Sequence, residues 1–345
     1  MNNDAEAIEA IRKRLGSRLR ILGHHYQADE VIRHVDLRGD SLALARKTRD
    51  VDAEHIVFCG VYFMAESSAL LARPNQMVHL PEPSAECSMA LMSPGPLLRA
   101  VLDILGGKGR RIVPLAYVNS TLEVKAVVGE YGGAVCTSAN ARTMLRWALD
   151  RGDAVLFLPD KNLGHNTANQ LGIPEDQRHV LSLKGKGENI DREKAERAKL
   201  LLWPGFCSIH TRFVMRQIER VRQEHPGVLV AVHPECTPDV VDAADAAGST
   251  SFLIDYVAKA KPGSVIAIGT EINLVERLAE ARKGDVEVLP LVESACTHMA
   301  QTTEEKLRAC LEAVEAGRTD YLVNVPEALK APATESLERM LAACA

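Results

Sequence analysis

Arg20–Val31 reads RILGHHYQADEV, Ile112–Val124 reads IVPLAYVNSTLEV, and Val228–Val240 reads VLVAVHPECTPDV. Each begins as a short apolar run and breaks into a polar cluster, and each ends on a valine where helix-like spacing starts. The clusters open on His24, Tyr117 and His233, and their third positions hold Tyr26, Asn119 and Glu235. Spacing onward from the clusters repeats. From His24 to Ser41 to Cys87 the steps are 17 and 46 residues, and from His233 to Thr250 to Cys296 they are again 17 and 46. The middle run, from Tyr117 to Ser138 to Cys207, has steps of 21 and 69, the same plan with loops inserted. The chain therefore carries three copies of one supersecondary unit, and in such a repeat equivalent residues can converge on an axis.

The rest of each copy follows the same plan. A second turn (RGDS ending at Ser41, CTS at Ser138, GST at Thr250) opens a helical segment with a hydroxyl residue suited to a helix start. The apolar runs IVFCG, AVLFLP and VIAIG come next, each followed by a helical stretch. Strand alternating with helix predicts parallel sheets with sites at the carboxyl ends of the strands. The expected fold class is α/β, with three similar αβα domains set pseudo-threefold around a centre. Expected limits are 1–107, 108–225 and 226–300, with a solvated insertion at 173–200. The tail 301–345, opened by the box Thr302–Glu305, is expected to pack on the first domain.

Bulk properties narrow the functional class. The length of 345 residues suits two or three domains, and 46% hydrophobic with 25% charged residues is an ordinary globular composition. No apolar run approaches a membrane span, and the start carries Asp4, Glu6 and Glu9 where a signal peptide would be basic, so a cytoplasmic protein is expected. A net charge of -5 speaks against sequence-independent nucleic-acid binding. Eight cysteines scattered over this length suggest reduced thiols rather than a disulfide framework.

Five of these cysteines read as ordinary. Cys59 falls in a strand and Cys310 on a helix, as small buried hydrophobes do, while Cys136, Cys236 and Cys344 have no counterparts in the other copies. Cys87, Cys207 and Cys296 differ, since each follows the last strand of its copy. Three thiolates are one short of a closed zinc site or a fully ligated iron–sulfur cluster, which leaves an open position suited to Lewis-acid chemistry. Spacing alone does not choose between the two metals. By the repeat, His24, Tyr26, Tyr117, Asn119, His233 and Glu235 face the same space as the thiols, ringed by helix starts at Ser41, Ser138 and Thr250. Helix N-termini with hydroxyls form an anion site, and His210 adds a titratable group three residues after Cys207. Taken singly, such hydroxyls are commonly just caps; matched His, Tyr and Glu beside matched cysteines favour a site.

These residues also carry a resemblance. HHYQ at 24–27, YVNS at 117–120, CTSAN at 136–140, GFCSIH at 205–210, HPEC at 233–236, GSTS at 248–251 and ACTHMAQTT at 295–303 make the chain resemble the quinolinate synthases, nearly end to end. The resemblance implies three αβα domains in a triangle around a [4Fe-4S] cluster held by Cys87, Cys207 and Cys296. It implies condensation of iminoaspartate with dihydroxyacetone phosphate, with functional coupling to L-aspartate oxidase. It further implies substrate contacts from His24, Tyr26, Ser41, Tyr117, Asn119, Ser138, His210, His233, Glu235, Ser249 and Thr250. Glu235 and His233 are the expected base and acid, assisted by Tyr26 and Tyr117. Where some members have a CxxCxxC run, this chain has Pro290 and Glu293 ahead of Cys296, so no disulfide switch is expected there. Other enzymes with one cysteine per domain, or a metal-carrying sensor scaffold, are the rival readings.

Overall fold

The computed structural model describes residues 3–185, 187 and 189–345. Met1 and Asn2 of the expected first domain, and Lys186 and Glu188 of the expected insertion, lie outside the described residues. Strands β1 (Leu19–His24), β2 (Leu37–Gly39), β3 (His55–Cys59) and β4 (Met77–His79) form a parallel sheet in the order β2-β1-β3-β4. A second parallel sheet joins β5 (Ile112–Tyr117), β6 (Ala134–Cys136), β7 (Ala154–Leu158), β8 (Arg178–Val180) and β9 (Leu200–Leu202) in the order β6-β5-β7-β9-β8. The third runs β11-β10-β12-β13, from β10 (Leu229–Val232), β11 (Ala246–Ala247), β12 (Val265–Gly269) and β13 (Glu287–Pro290). With β8 set aside, all three sheets share one order: second, first, third, fourth. The fold is α/β with three similar units, as the repeat predicted.

That order places the sites. From its first strand each unit steps to one edge of its sheet and later crosses to the other side, so the topological switch lies at the carboxyl ends of the first and third strands. Those ends are His24 and Cys59, Tyr117 and Leu158, and Val232 and Gly269. β3, β5 and β7 are buried along their whole length and β1 along most of it, which accounts for near-continuous apolar runs instead of alternation.

One core cluster reaches through all three sheets, with Leu22 and Phe58 from the first, Leu115 and Phe157 from the second, and Ile266 and Ile268 from the third. Full burial of each such side chain contributes roughly 1.5–3 kcal/mol. A second cluster joins Ile8, Ile11 and Leu15 of the helix Asn3–Leu15 to Leu307, Leu311 and Val314 of the helix Glu304–Glu315, over Ile21 and Val57 of the first sheet. Cys59 and Cys310 lie within it, fully buried. A third gathers Phe213, Ile218 and Val221 against Val230, Val232 and Ala267.

Two expectations are corrected here. The segment 173–200 is not simply solvated: Arg178–Val180 adds the edge strand β8, the helix Arg192–Arg197 follows it, and Ile190 and Ala195 are buried. The tail divides between two units. Glu304–Glu315 lies on the first, but the closing helix Glu327–Ala343 packs along the helix Leu122–Glu130 and β6 of the second. The crossing is tight at Gly129, where a Cβ would fall 1.8 Å from the Pro332 carbonyl oxygen. Among the described residues no helix is long and apolar enough to cross a membrane.

Candidate active site

The polar clusters after the first strands are tight turns. In the first unit the Gln27 amide donates to the His24 carbonyl at 3.1 Å, and in the third the Cys236 amide donates to the His233 carbonyl at 3.0 Å. Each turn folds the residue two places on back beside the histidine. Thus the Tyr26 amide donates to His24 Nδ1 at 3.1 Å, and the Glu235 amide approaches His233 Nδ1 at 3.4 Å. Burial pushes both imidazoles down to about 3, so at neutral pH they are uncharged, with Nδ1 accepting and the proton on Nε2. The strand ends of all three units meet at one cavity, partly open to solvent, lined by His24, Tyr26, Tyr117, Asn119, His233 and Glu235.

Ser41, Ser138 and Thr250 also line the cavity, but not as caps. The helix Ser41–Asp50 is capped by Asp40, whose carboxylate accepts from the Ala43 amide at 2.9 Å, and the helix Thr250–Ala258 by Ser249, which accepts from the Phe252 amide at 3.3 Å. The helix Ala141–Leu149 starts three residues beyond Ser138, after a turn in which Asn140 Oδ1 accepts from the Thr137 amide at 2.7 Å. The caps lie one residue before the expected hydroxyl in the outer units and two residues after it in the middle one. The offset leaves the hydroxyls of Ser41 and Ser138 without a capping role, while Thr250 Oγ1 donates to the Tyr26 hydroxyl at 3.2 Å. Ser249 itself is buried beneath its helix and does not line the cavity.

Cys87, Cys207 and Cys296 share this cavity. Each stands three residues ahead of a short 3-10 turn, Ala90–Met92, His210–Arg212 and Met299–Gln301. Their carbonyls accept from the amides of Leu91, Thr211 and Ala300 at 3.3, 3.1 and 3.0 Å. Sulfur receives amide hydrogens from the same turns: Ala90 and Met89 on Cys87, His210 on Cys207, Met299 and His298 on Cys296. Burial pushes the Cys87 thiol up to about 12 and raises the other two, while these amides pull the opposite way. Cys87 also feels the charge of Cys296, and Cys207 that of Cys87. Three neighbouring half-buried cysteines, each with at least one amide donor on its sulfur, form a soft set that a metal would hold deprotonated. Cys207, His210 and Glu235 also bring their ligand atoms within 4.8 Å of one another, so that these three could hold a metal ion. Cys136 and Cys236 are buried and do not line the cavity.

Glu235 is the electrostatic centre. Its Oε1 accepts from the Tyr117 hydroxyl, and Oε2 lies 2.8 Å from His210 Nδ1. Burial alone would raise the carboxyl, but the His210 and His233 rings, stacked 4.3 Å apart, together with Tyr117 outweigh it and hold the group below its ordinary range. Tyr26 and Tyr117 move the other way, raised chiefly by burial, so both phenols keep their protons. Asn119 Oδ1 is buried and has no partner among the described residues, leaving an acceptor available to a ligand.

Several residues here were not singled out from sequence. Asp40, Thr137, Glu271 and His298 line the cavity, and Thr270 stands behind it. Glu271, pushed up to about 7 by burial, lies two residues past β12, and Asp160 lies two residues past β7. Extending the ruler to the third strands would have found both; the first unit has Val61 there.

Comparison with known proteins agrees with this arrangement. The family described as quinolinate synthetase A protein matches residues 6–342. A quinolinate synthase of Corynebacterium glutamicum is 46% identical over 97% of this chain and 86% of its own length. Those of Acidobacterium capsulatum and Bacillus velezensis are each 43% identical over 97% of this chain and 92% and 91% of theirs. Matched over nearly all its length, the chain belongs to the quinolinate synthetase A protein family.

Proposed function

We propose that the chain condenses iminoaspartate with dihydroxyacetone phosphate to quinolinate, phosphate and water, and that Cys87, Cys207 and Cys296 hold a [4Fe-4S] cluster. The observation that carries this is the convergence of three cysteines, each at the same place in the same short turn, beside a buried ionised carboxylate. The donor set fits: three soft ligands on amide-lined turns suit an iron–sulfur centre with one iron free of protein ligands. When bound, that centre supplies Lewis acidity for the loss of a hydroxyl group.

Protein residues do the rest. Glu235, ionised at neutral pH, is the base that takes protons during imine formation and ring closure, and Tyr117 and His210 hold its two oxygens in place. Neutral His233 and His24 present Nε2–H groups, the former as the acid partner of Glu235 and the latter to orient substrate. The hydroxyls of Ser41, Ser138 and Thr250, with the amides of the helices Ser41–Asp50 and Thr250–Ala258, hold phosphate and carboxylate. Ser249 supports Thr250 as its cap, and the free Asn119 oxygen receives a hydroxyl or imine hydrogen. Tyr26, still protonated, donates at the far wall. The imine comes from an L-aspartate oxidase, in the cytoplasm.

The experiment is anaerobic purification followed by iron and acid-labile sulfide analysis, then a quinolinate assay with the imine donor and the triose phosphate. The reading requires about four iron and four sulfide per chain and quinolinate in the product. A second reading, a single zinc ion on Cys207, His210 and Glu235, draws on the closeness of those three groups. Zinc without sulfide, and no quinolinate, would establish it instead.

A further inference from the structure

Two of the tight turns at the cavity are each held by a helix of the neighbouring unit. In the first unit the His24 carbonyl is taken within the turn, by the Gln27 amide, which leaves the carbonyls of His25, Tyr26 and Gln27 to find other donors. All three find them on the helix Ile272–Ala281 of the third unit. Arg277 donates to the His25 carbonyl and, at 3.1 and 3.2 Å, to that of Gln27, and Asn273 Nδ2 donates to the Tyr26 carbonyl at 3.2 Å. The third unit's turn repeats this position by position. The His233 carbonyl is taken by the Cys236 amide, and the helix Lys161–Leu171 of the second unit meets the rest. Asn166 Nδ2 donates to the Pro234 and Cys236 carbonyls at 2.8 and 2.9 Å, and Asn162 Nδ2 approaches that of Glu235 at 3.4 Å. Both helices follow the third strand of their sheet and are capped by an acid, Glu271 and Asp160. Asn273 and Arg277 stand two and six residues past the first cap, and Asn162 and Asn166 two and six past the second. The same two helical positions, one turn apart on one face, thus grip the same three carbonyls twice. The first unit has Phe63 and Ser67 there. Ser67 donates to the Phe63 carbonyl of its own helix at 2.8 Å, and the middle turn is met at the Ser120 carbonyl by Lys125 of its own unit.

We propose that Asn273 with Arg277, and Asn162 with Asn166, are positioning residues: each pair fixes, from the neighbouring unit, the turn that aims two side chains into the cavity, His24 and Tyr26 in one case and His233 and Glu235 in the other. This rests on the reading of those four side chains as part of the site of quinolinate formation. None of the four holding residues lines the cavity, so they act through the turns. Their chemistry suits the task. Asn166 is 1% exposed and gives both amide hydrogens to carbonyls two residues apart. The planar fork of Arg277 likewise bridges His25 and Gln27, which the single ammonium of lysine does less rigidly. The bond of Arg277 to the exposed Asp29 carboxylate adds little. Methionine keeps the reach of Arg277, and leucine the outline of Asn166, without a donor.

The test uses the cluster-loaded protein and its R277M, R277K and N166L forms, all expected to keep parental iron. In backbone hydrogen exchange, R277M should speed exchange at residues 24–27 by about tenfold or more and leave 233–236 within about twofold, and N166L should do the reverse. In kinetics, R277M should raise KM for the triose phosphate and weaken binding of added quinolinate by about fivefold or more, with kcat within about threefold, since its turn orients substrate. N166L should lower kcat by about tenfold or more, since its turn carries the base. R277K should fall between R277M and the parent. The proposal is overturned by parental exchange at both turns, by equal acceleration at both in each variant, by parental kinetics in both R277M and N166L, or by loss of iron. Should N166L not fold, the R277M and R277K pair decides it. A parent that makes no quinolinate overturns the functional reading alone, and the exchange readout still decides whether the helices hold the turns.

Discussion

Replacing Glu235 by glutamine separates the chemical role of the carboxylate from its structural one. The side chain is 3% exposed and accepts one bond on each oxygen, from Tyr117 and from His210. Glutamine has the same outline but one acceptor oxygen and one donor nitrogen. With the amide oxygen kept on His210 Nδ1, its nitrogen faces the Tyr117 hydroxyl, which can rotate to accept. Both contacts survive without charge assistance, at a loss of about 1–1.5 kcal/mol each. Against this, the variant no longer buries a charge, a saving of similar or larger size. The unfolding free energy should therefore stay within about 2 kcal/mol of the parent. The chemical loss is larger, since removal of a general base costs about 10²–10⁴ in rate, or about 2.7–5.4 kcal/mol of barrier. The assay is anaerobic quinolinate formation, run beside thermal melting and iron analysis. Because the folded carboxyl titrates below its ordinary 4.5, its ionised form stabilises the parent fully above that pH and loses the effect as pH falls through the folded value. The acid dependence of stability should accordingly be shallower in E235Q. Full turnover by E235Q would refute the argument, as would loss of its iron.

Cys87→Ser, Cys207→Ser and Cys296→Ser should each lose iron and visible absorbance, whereas Cys310→Ala should keep them; equal iron in all four would remove the proposed ligands. Lys125 is fully buried, donates to the Ser120 carbonyl and is pushed by burial from 10.5 down to about 8, with Glu66 working the other way. The unfolded chain therefore binds more protons between these values, so Lys125 contributes a rise in stability with pH from about 8 toward 10.5, and Lys125→Met should flatten it in urea titrations. Gly129→Ala puts a methyl onto the Pro332 backbone and should lower unfolding stability by about 1–3 kcal/mol or more in denaturant melts; an unchanged midpoint would show that the closing helix yields freely.

The repeat was legible in sequence because residue type and spacing recur together: strands ending at His24, Tyr117 and Val232, and cysteines ahead of matched turns, follow from one ruler. What escaped it depends on contacts between units. Thr270 looks like any hydroxyl after a strand until Tyr26 and His210 arrive from distant segments. β8, reading Arg-His-Val, has half-buried residues and a single partner strand, so its composition resembles a loop. The closing helix carries Pro332 in its interior, which obscures its helical pattern, and its docking on the second unit depends on the space left by Gly129. Hydroxyl residues beside a helix start look alike in sequence; only coordinates distinguish Asp40 and Ser249, which cap, from Ser41 and Thr250, which face inward.

Three sheets of one strand order would, if their loops were alike, offer a guest at the centre three interchangeable walls. Here they are not alike: imidazole and phenol lead in from one side, phenol and carboxamide from the next, imidazole and carboxylate from the last. Triplication supplies a rigid vessel, and divergence at six loop positions makes that vessel lopsided. A lopsided vessel can seat two dissimilar reactants in a single relative orientation, which a trimer of identical subunits, bound by its own symmetry, could not do at its axis.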